Sequence, residues 1–189
     1  DLVSVPDFDW NHIVCSINAD VTKGKLGYWS YIYYLSKYYE LFDTVLIVLK
    51  KKSHQLTVLH LFHHSVIIWY AWAVIQGEWM PSWNAVTMNG SVHICMYTYY
   101  VIASFGYRPA WKYLITVMQL LQFMSAISIS FYWLYLKTYV GYPCTGRYWI
   151  ALPGLALVLV FLYMFSMFYI KSYSKPKKSR KTGADKKDD

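Results

Sequence analysis

Charge is what this sequence has least of. Only 15% of its 189 residues are Asp, Glu, Lys or Arg, against 57% hydrophobic and 20% aromatic. The charges sit between apolar runs of about 20 residues, long enough at 1.5 Å per residue to cross a hydrocarbon core of about 30 Å. A soluble domain does not segregate its charge so strictly, so the hydropathy argues against that class. Three cysteines are too few for a disulfide framework. No Gly/Ser linker and no internal repeat divides the apolar region, which predicts one domain. A G-x-G-x-x-G fingerprint is missing, which sets dinucleotide-dependent reduction aside. No secretory signal with a cleavage site opens the chain. It begins at Asp1 rather than Met, so residues upstream, further helices among them, are expected.

What is present is a set of five candidate spans near 28–49, 55–76, 84–105, 113–136 and 148–170. They predict an all-α, polytopic membrane bundle or barrel in three parts: an N-terminal segment at 1–27, a five-helix transmembrane domain at 28–170, and a basic tail at 171–189. Lys50, Lys51, Lys52, Arg108, Lys112 and the eight Lys/Arg residues after Ile170 fall on one side, 13 of 18 in all; Lys23, Lys25, Lys137 and Arg147 fall on the other. Cytoplasmic loops collect Lys and Arg, which places the tail and both basic loops in the cytosol. The net charge of +8 then reflects sidedness and a solvated tail beside anionic headgroups rather than nucleic-acid binding. In the terminal "KKDD", Lys186 and Lys187 stand where a dilysine retrieval signal of endoplasmic reticulum membrane proteins stands. Cys15 and Cys144 fall on the opposite, lumenal side, where an oxidising compartment permits either a bridge or two free thiols. Cys95 is mid-helix.

The polar residues inside the spans share a depth. Lys37, Glu40 and Asp43 are the charged ones, all in "LSKYYELFDT". Each costs about 2.5–3.5 kcal/mol at the bilayer centre and is expected to face a bundle interior or an aqueous cavity. Lys37 and Glu40, three apart, are placed to pair with each other, which leaves Asp43 over. Counted from the basic side, these residues, His60, His63 and His64 of the second span, His93, Met96, Tyr97 and Tyr100 of the third, and Thr116, Gln119 and Gln122 of the fourth reach one slab about 5–18 Å deep. The i, i+3, i+4 spacings put the histidines of the second span on one helical face, and likewise His93, Met96 and Tyr97 of the third. A lone intramembrane His or Gln is ordinarily interhelical glue, and the 20 Tyr and 9 Trp are largely interface belt and packing. Agreement of four spans points instead to a water-accessible site.

Two chemistries suit such a site. His-x-x-His-His with two carboxylates could hold one zinc or iron, as in a histidine-box desaturase or hydroxylase. Enzymes of that kind use more histidines than the six here, of which His12 and His54 fall in expected loops. Acyl transfer is the other: a neutral imidazole held in one tautomer serves as nucleophile or base, with His60, Asp43 or His93 available to orient His63. Cys95, two residues past His93, is turned about 200° from the site face. Basic residues beside the mouth suit phosphates, and an apolar bundle suits a hydrocarbon tail; together they describe an acyl-coenzyme A. A non-catalytic lipid-binding membrane protein is a third class with the same features.

"KYYELFDT" (37–44), "QLTVLHLFHH" (55–64), "NGSVHICMYTYY" (89–100) and "TVMQLLQF" (116–123) resemble, in order, the signatures of the very-long-chain fatty acid elongases, the membrane 3-ketoacyl-CoA synthases. The resemblance covers roughly residues 28–170. It implies seven helices enclosing an acyl tunnel, of which this chain holds the last five. It also implies condensation of a long-chain acyl-CoA with malonyl-CoA, losing CO2 and CoA to give a 3-ketoacyl-CoA. His63 and His93 are the implied central residues, with His60, His64, Glu40 and Asp43 orienting imidazoles. Lys37, Asn89, Tyr97, Tyr100, Gln119 and Gln122 are expected around the substrate's oxygens, and Lys50, Lys51, Lys52, Arg108 and Lys112 around its phosphates. Trp72 and Trp83 are candidates for the tunnel wall. No metal or other cofactor is expected. The expected partners are membrane lipid and the reductases and dehydratase of the elongation cycle, with a homodimer left open.

Overall fold

The computed structural model describes residues 10–15, 23–52, 56–107 and 109–173. Arg108, His54 and the tail that carries Lys186 and Lys187 lie outside the described residues. Regular structure among the described residues is entirely helical: α1 (Trp10–Val14), α2 (Gly24–Leu49), α3 (Val58–Gln76), a short α4 (Ser82–Asn84), a π-helical turn (Ala85–Asn89), α5 (Gly90–Ser104), α6 (Lys112–Tyr135) prolonged by a second π-helical turn (Leu136–Val140), and α7 (Tyr148–Tyr173). The five expected spans are therefore five helical rods, the third built from α4, its π turn and α5 in succession. His12 falls in α1 rather than in a loop. Three stretches, Val58–Gln76, Lys112–Val140 and Tyr148–Ser172, are long and apolar enough by themselves to cross a membrane. α2 has the length but carries Lys25, Lys37, Glu40 and Asp43.

The rods close into a ring. α2 packs on α3, α3 on α7, α7 on α6 and α6 on α5, while α4 and the first π turn return to α2. Between α2 and α5 lies a cleft of about 420 Å³. α2 is turned inside out relative to a soluble helix. Its inner face holds Ser30, Lys37 and Glu40, all buried, while Tyr28, Trp29, Tyr39 and Phe42 are exposed. Such a distribution is stable where the outside is hydrocarbon and the inside polar. The π turn serves the same end on the neighbouring rod. Asn84 and Asn89 are five residues apart, about 140° out of line on an α-helix. Wider i→i+5 winding brings both asparagines inward, and both are buried.

One end of the ring is capped. Cys15 and Cys144 form a disulfide there, in a cluster with Val14, Trp79, Trp133, Leu136 and Ile150. Trp133 Nε1 donates to the Thr145 carbonyl (3.0 Å) and Lys137 Nζ to the carbonyls of Cys144 and Gly146. Trp83, expected at a tunnel wall, instead donates from Nε1 to the Ile13 carbonyl at 3.2 Å and ties α1 to the cap. At the opposite, basic end Lys50, Lys51, Lys52 and Lys112 are exposed. Two helices approach closely where a glycine permits it: the Tyr70 hydroxyl lies against Gly154, where any Cβ would overlap the ring.

Candidate active site

α2 supplies the charged part of the site. Ser30, Tyr33, Lys37, Glu40 and Thr44 repeat at alternating three- and four-residue steps, which aligns them on one face. Lys37, 1% exposed, donates from Nζ to Glu40 Oε1 at 2.5 Å and to Asn89 Oδ1 at 2.7 Å, and lies 4.2 Å from the centre of the Tyr33 ring. The Tyr33 hydroxyl also donates to Asn89 Oδ1, at 3.0 Å. A buried ammonium is tolerable only with this kind of compensation: one counter-charge, one neutral acceptor and one ring face. Asp43, left over once Lys37 and Glu40 pair, accepts from the Tyr97 hydroxyl at 2.8 Å. That bond joins α2 to α5 across the cleft.

The histidines come from two rods. Thr57 caps α3, its side chain accepting from the His60 backbone N–H at 3.1 Å, so α3 begins just before the histidine face. His60 Nε2 and Thr44 Oγ1 share a hydrogen bond of 2.8 Å. The His60 and His64 rings are 4.4 Å apart, the His63 and His64 rings 5.1 Å. His93 arrives from α5, and its ring stacks near that of His63 with centres 6.5 Å apart and planes inclined by 24°. His93 Nδ1 is 3.5 Å from Glu40 Oε1, an electrostatic approach without hydrogen-bond alignment. Phe161 of α7 backs the His63 ring at 5.3 Å. Among the described residues no group of three or more His, Cys, Asp or Glu is arranged to hold a metal ion.

Two spaces meet at this pair of rings. The cleft between α2 and α5 is lined by Lys37, Glu40, Asp43, His93 and Tyr97. A narrower and more enclosed cavity of about 90 Å³ runs inside the ring and is lined by His63, Gln122 and largely apolar walls such as Ile67, Phe123, Leu157 and Phe161. Tyr33 and Asn89 border both. His63 thus faces the apolar space and His93 the polar one. The other expected residues are distributed more widely. Tyr100 is 52% exposed, its ring 6.3 Å from Tyr97. Gln119 lines neither space. Trp72, expected at the tunnel wall, is 47% exposed, whereas Trp79, 7% exposed, lines the cavity. Tyr33 and Thr44 were not foreseen, although their spacing from Lys37 and Glu40 on α2 carried the signal.

Fold and site together define a polytopic membrane bundle built around a chamber of imidazoles and carboxylates. Residues 2–181 match the GNS1/SUR4 (ELO) family, and the chain belongs to that family. It is 34% identical over 163 residues to fatty acid elongase sre1 of Dictyostelium discoideum, covering 85% of this chain and 59% of that protein. To fatty acid elongase A of the same organism it is 34% identical over 173 residues, 90% of this chain and 62% of that one. To very long chain fatty acid elongase 5 of Bos taurus it is 34% identical over 171 residues, 86% of this chain and 53% of that one. The chain therefore spans between 53% and 62% of the length of these relatives. Its spanning helices and its family make it a multi-pass membrane protein.

Proposed function

We propose that this chain carries the condensing centre of a fatty acid elongase, joining a long-chain acyl-CoA to malonyl-CoA to give a 3-ketoacyl-CoA, CO2 and CoA. The single observation behind this reading is the seating of His63 and His93 at the junction of an apolar cavity and a polar cleft. An acyl chain suits the first space and a thioester or malonyl carboxylate the second.

In the proposed sequence the His63 imidazole attacks the acyl thioester carbonyl. The C–S bond breaks, CoA leaves as the thiol with the proton shed by the ring, and an acyl-imidazole remains. Malonyl-CoA placed beside His93 loses CO2, and the resulting enolate carbon attacks the acyl carbon. The C–N bond breaks, and the departing imidazolate takes one proton from water, which regenerates neutral His63. Negative charge develops on oxygen in both halves, so neutral donors at the junction assist. Gln122, in the cavity with His63, and the amide N–H groups of Asn89, which borders both spaces, are such donors; the single O–H of Tyr97 already goes to Asp43, and Gln119 and Tyr100 line neither space. His60, His64, Glu40 and Asp43 hold the surrounding rings and hydroxyls in place, and Lys37 fixes Glu40. Lys50, Lys51, Lys52 and Lys112 at the basic end suit the CoA phosphates, as does Arg108 by its place in the sequence. The same charge distribution supports a cytosolic basic end and C-terminus, and Lys186 and Lys187 support residence in the endoplasmic reticulum. The 3-keto product requires a ketoreductase, a dehydratase and an enoyl reductase as neighbours.

The test is release of labelled CO2 from malonyl-CoA by the full-length protein in membranes. Release dependent on added acyl-CoA is expected, falling by about 10²–10⁴-fold in His63→Ala. Condensation at the normal rate in His63→Ala would refute the nucleophile assignment. Activity that needs stoichiometric iron or zinc would favour a histidine-box metal enzyme, and no CO2 release with any acyl-CoA would favour a lipid-binding protein.

A further inference from the structure

The proposed chemistry uses the end of the enclosed cavity nearest His63. The other end, toward the disulfide cap, has a chemistry of its own. Tyr70 stands on α3 seven residues beyond His63, about 10 Å farther along the helix, and Trp79 and Ser82 follow in the turn into α4. Ser30 reaches the same space from α2. Ser30 is 4% exposed, Trp79 7% and Ser82 2%. Among the described residues, Ser30 Oγ, Tyr70 OH, Trp79 Nε1 and Ser82 Oγ have no hydrogen-bond partner.

This is unusual within the molecule itself. A helical serine normally returns its hydroxyl to a carbonyl one turn back, and Ser36, Ser65, Ser91, Ser104, Ser128 and Ser130 all do so. Ser30, inside α2, does not, although it is buried, and Ser82, at the first position of α4, has no helical turn behind it to return to. Each unsatisfied buried group costs about 1–3 kcal/mol. Tyr33, His63, Asn84, Asn89 and Gln122 also line this cavity, Gln122 unpartnered at Oε1, and with them the residues that carry the four groups above. A bare methyl terminus driven against them would leave every one of them unpaired. A chain end carrying a hydroxyl would offer them both a donor and an acceptor.

The geometry points to a polar subsite at this end of the cavity, formed by Ser30, Trp79 and Ser82, that takes the oxygenated terminus of an acyl chain, an ω-hydroxyl in the simplest case; the Tyr70 hydroxyl, lodged against Gly154, stays with the helix contact. This rests on the elongase reading above, in which the acyl chain enters the cavity from His63. The subsite acts on the choice of chain and not on the condensation step.

The experiment compares plain and ω-hydroxy acyl-CoAs of matched length, over a series of lengths, with the full-length protein in membranes. For chains too short to reach the subsite, the two forms turn over equally. At the lengths that reach it, kcat/KM for the ω-hydroxy form exceeds that of the plain form by about tenfold, one or two net hydrogen bonds. In Ser30→Ala/Ser82→Ala, and separately in Trp79→Phe, that ratio falls toward one. A ratio of one at every length in the unmodified protein overturns the proposal without involving any variant, as does a ratio unchanged in both variants. Failure of the elongase reading looks different: no acyl-CoA of either kind is extended at any length.

Discussion

Lys37 is the residue on which the electrostatics of the chamber turn. It is 1% exposed, and its ammonium is shared between Glu40, Asn89 and the face of Tyr33. Removing one member of a buried pair strands the other charge and costs about 3–5 kcal/mol, whereas replacing both by apolar groups is close to neutral. Glu40→Ala is therefore expected to lower the melting temperature in detergent far more than Lys37→Met/Glu40→Leu does. CO2 release should be lost in both. A double variant as unstable as the single one would show that charge compensation is not what the pair provides. The pairing of Lys37 with Glu40 and the surplus of Asp43 were legible from spacing alone. The partner that Asp43 takes, Tyr97, was not, because 54 residues separate them and only the closed ring brings them together. Thr44 was legible but overlooked: Thr carries no charge, so it does not mark itself in an apolar run.

At the scale of elements, hydropathy was a sound guide to how many rods there are and a poor guide to how they are wound. A π turn and an α turn have the same composition, and nothing in "AVTMN" announces that Asn84 and Asn89 share a face. Facing was likewise unreadable for tryptophan, which suits an interface belt, a tunnel wall or a cap; Trp72, Trp79 and Trp83 take three different positions. The α3–α7 contact depends on a missing side chain. Gly154 admits the Tyr70 hydroxyl, and Gly154→Ala would force the ring aside. Overpacking of this kind costs about 1–3 kcal/mol, more than the roughly 1 kcal/mol that alanine gains over glycine in helix propensity. A lower melting temperature for Gly154→Ala is the expected result, and an unchanged or higher one would show that Tyr70 has room to move.

At the scale of the whole molecule, the ring of rods converts a one-dimensional coincidence into a chamber. Lys37, Glu40, Asp43, His63, His93, Tyr97 and Gln122, which share a depth in the sequence, line one or the other of two adjoining spaces, while Gln119 and Tyr100 of the same slab line neither. The disulfide joins two cysteines 129 residues apart in sequence and caps one end of the ring, while the basic end presents Lys50, Lys51, Lys52 and Lys112. In the proposed reaction His63 is the residue that carries the acyl group between the two half-reactions. The most direct test of that role is mass spectrometry of the full-length protein after incubation with a long-chain acyl-CoA and no malonyl-CoA. An acyl adduct on His63, discharged when malonyl-CoA is added and missing in His63→Ala, is the expected result. An adduct on Cys95, or one on His63 that malonyl-CoA fails to discharge, would contradict it.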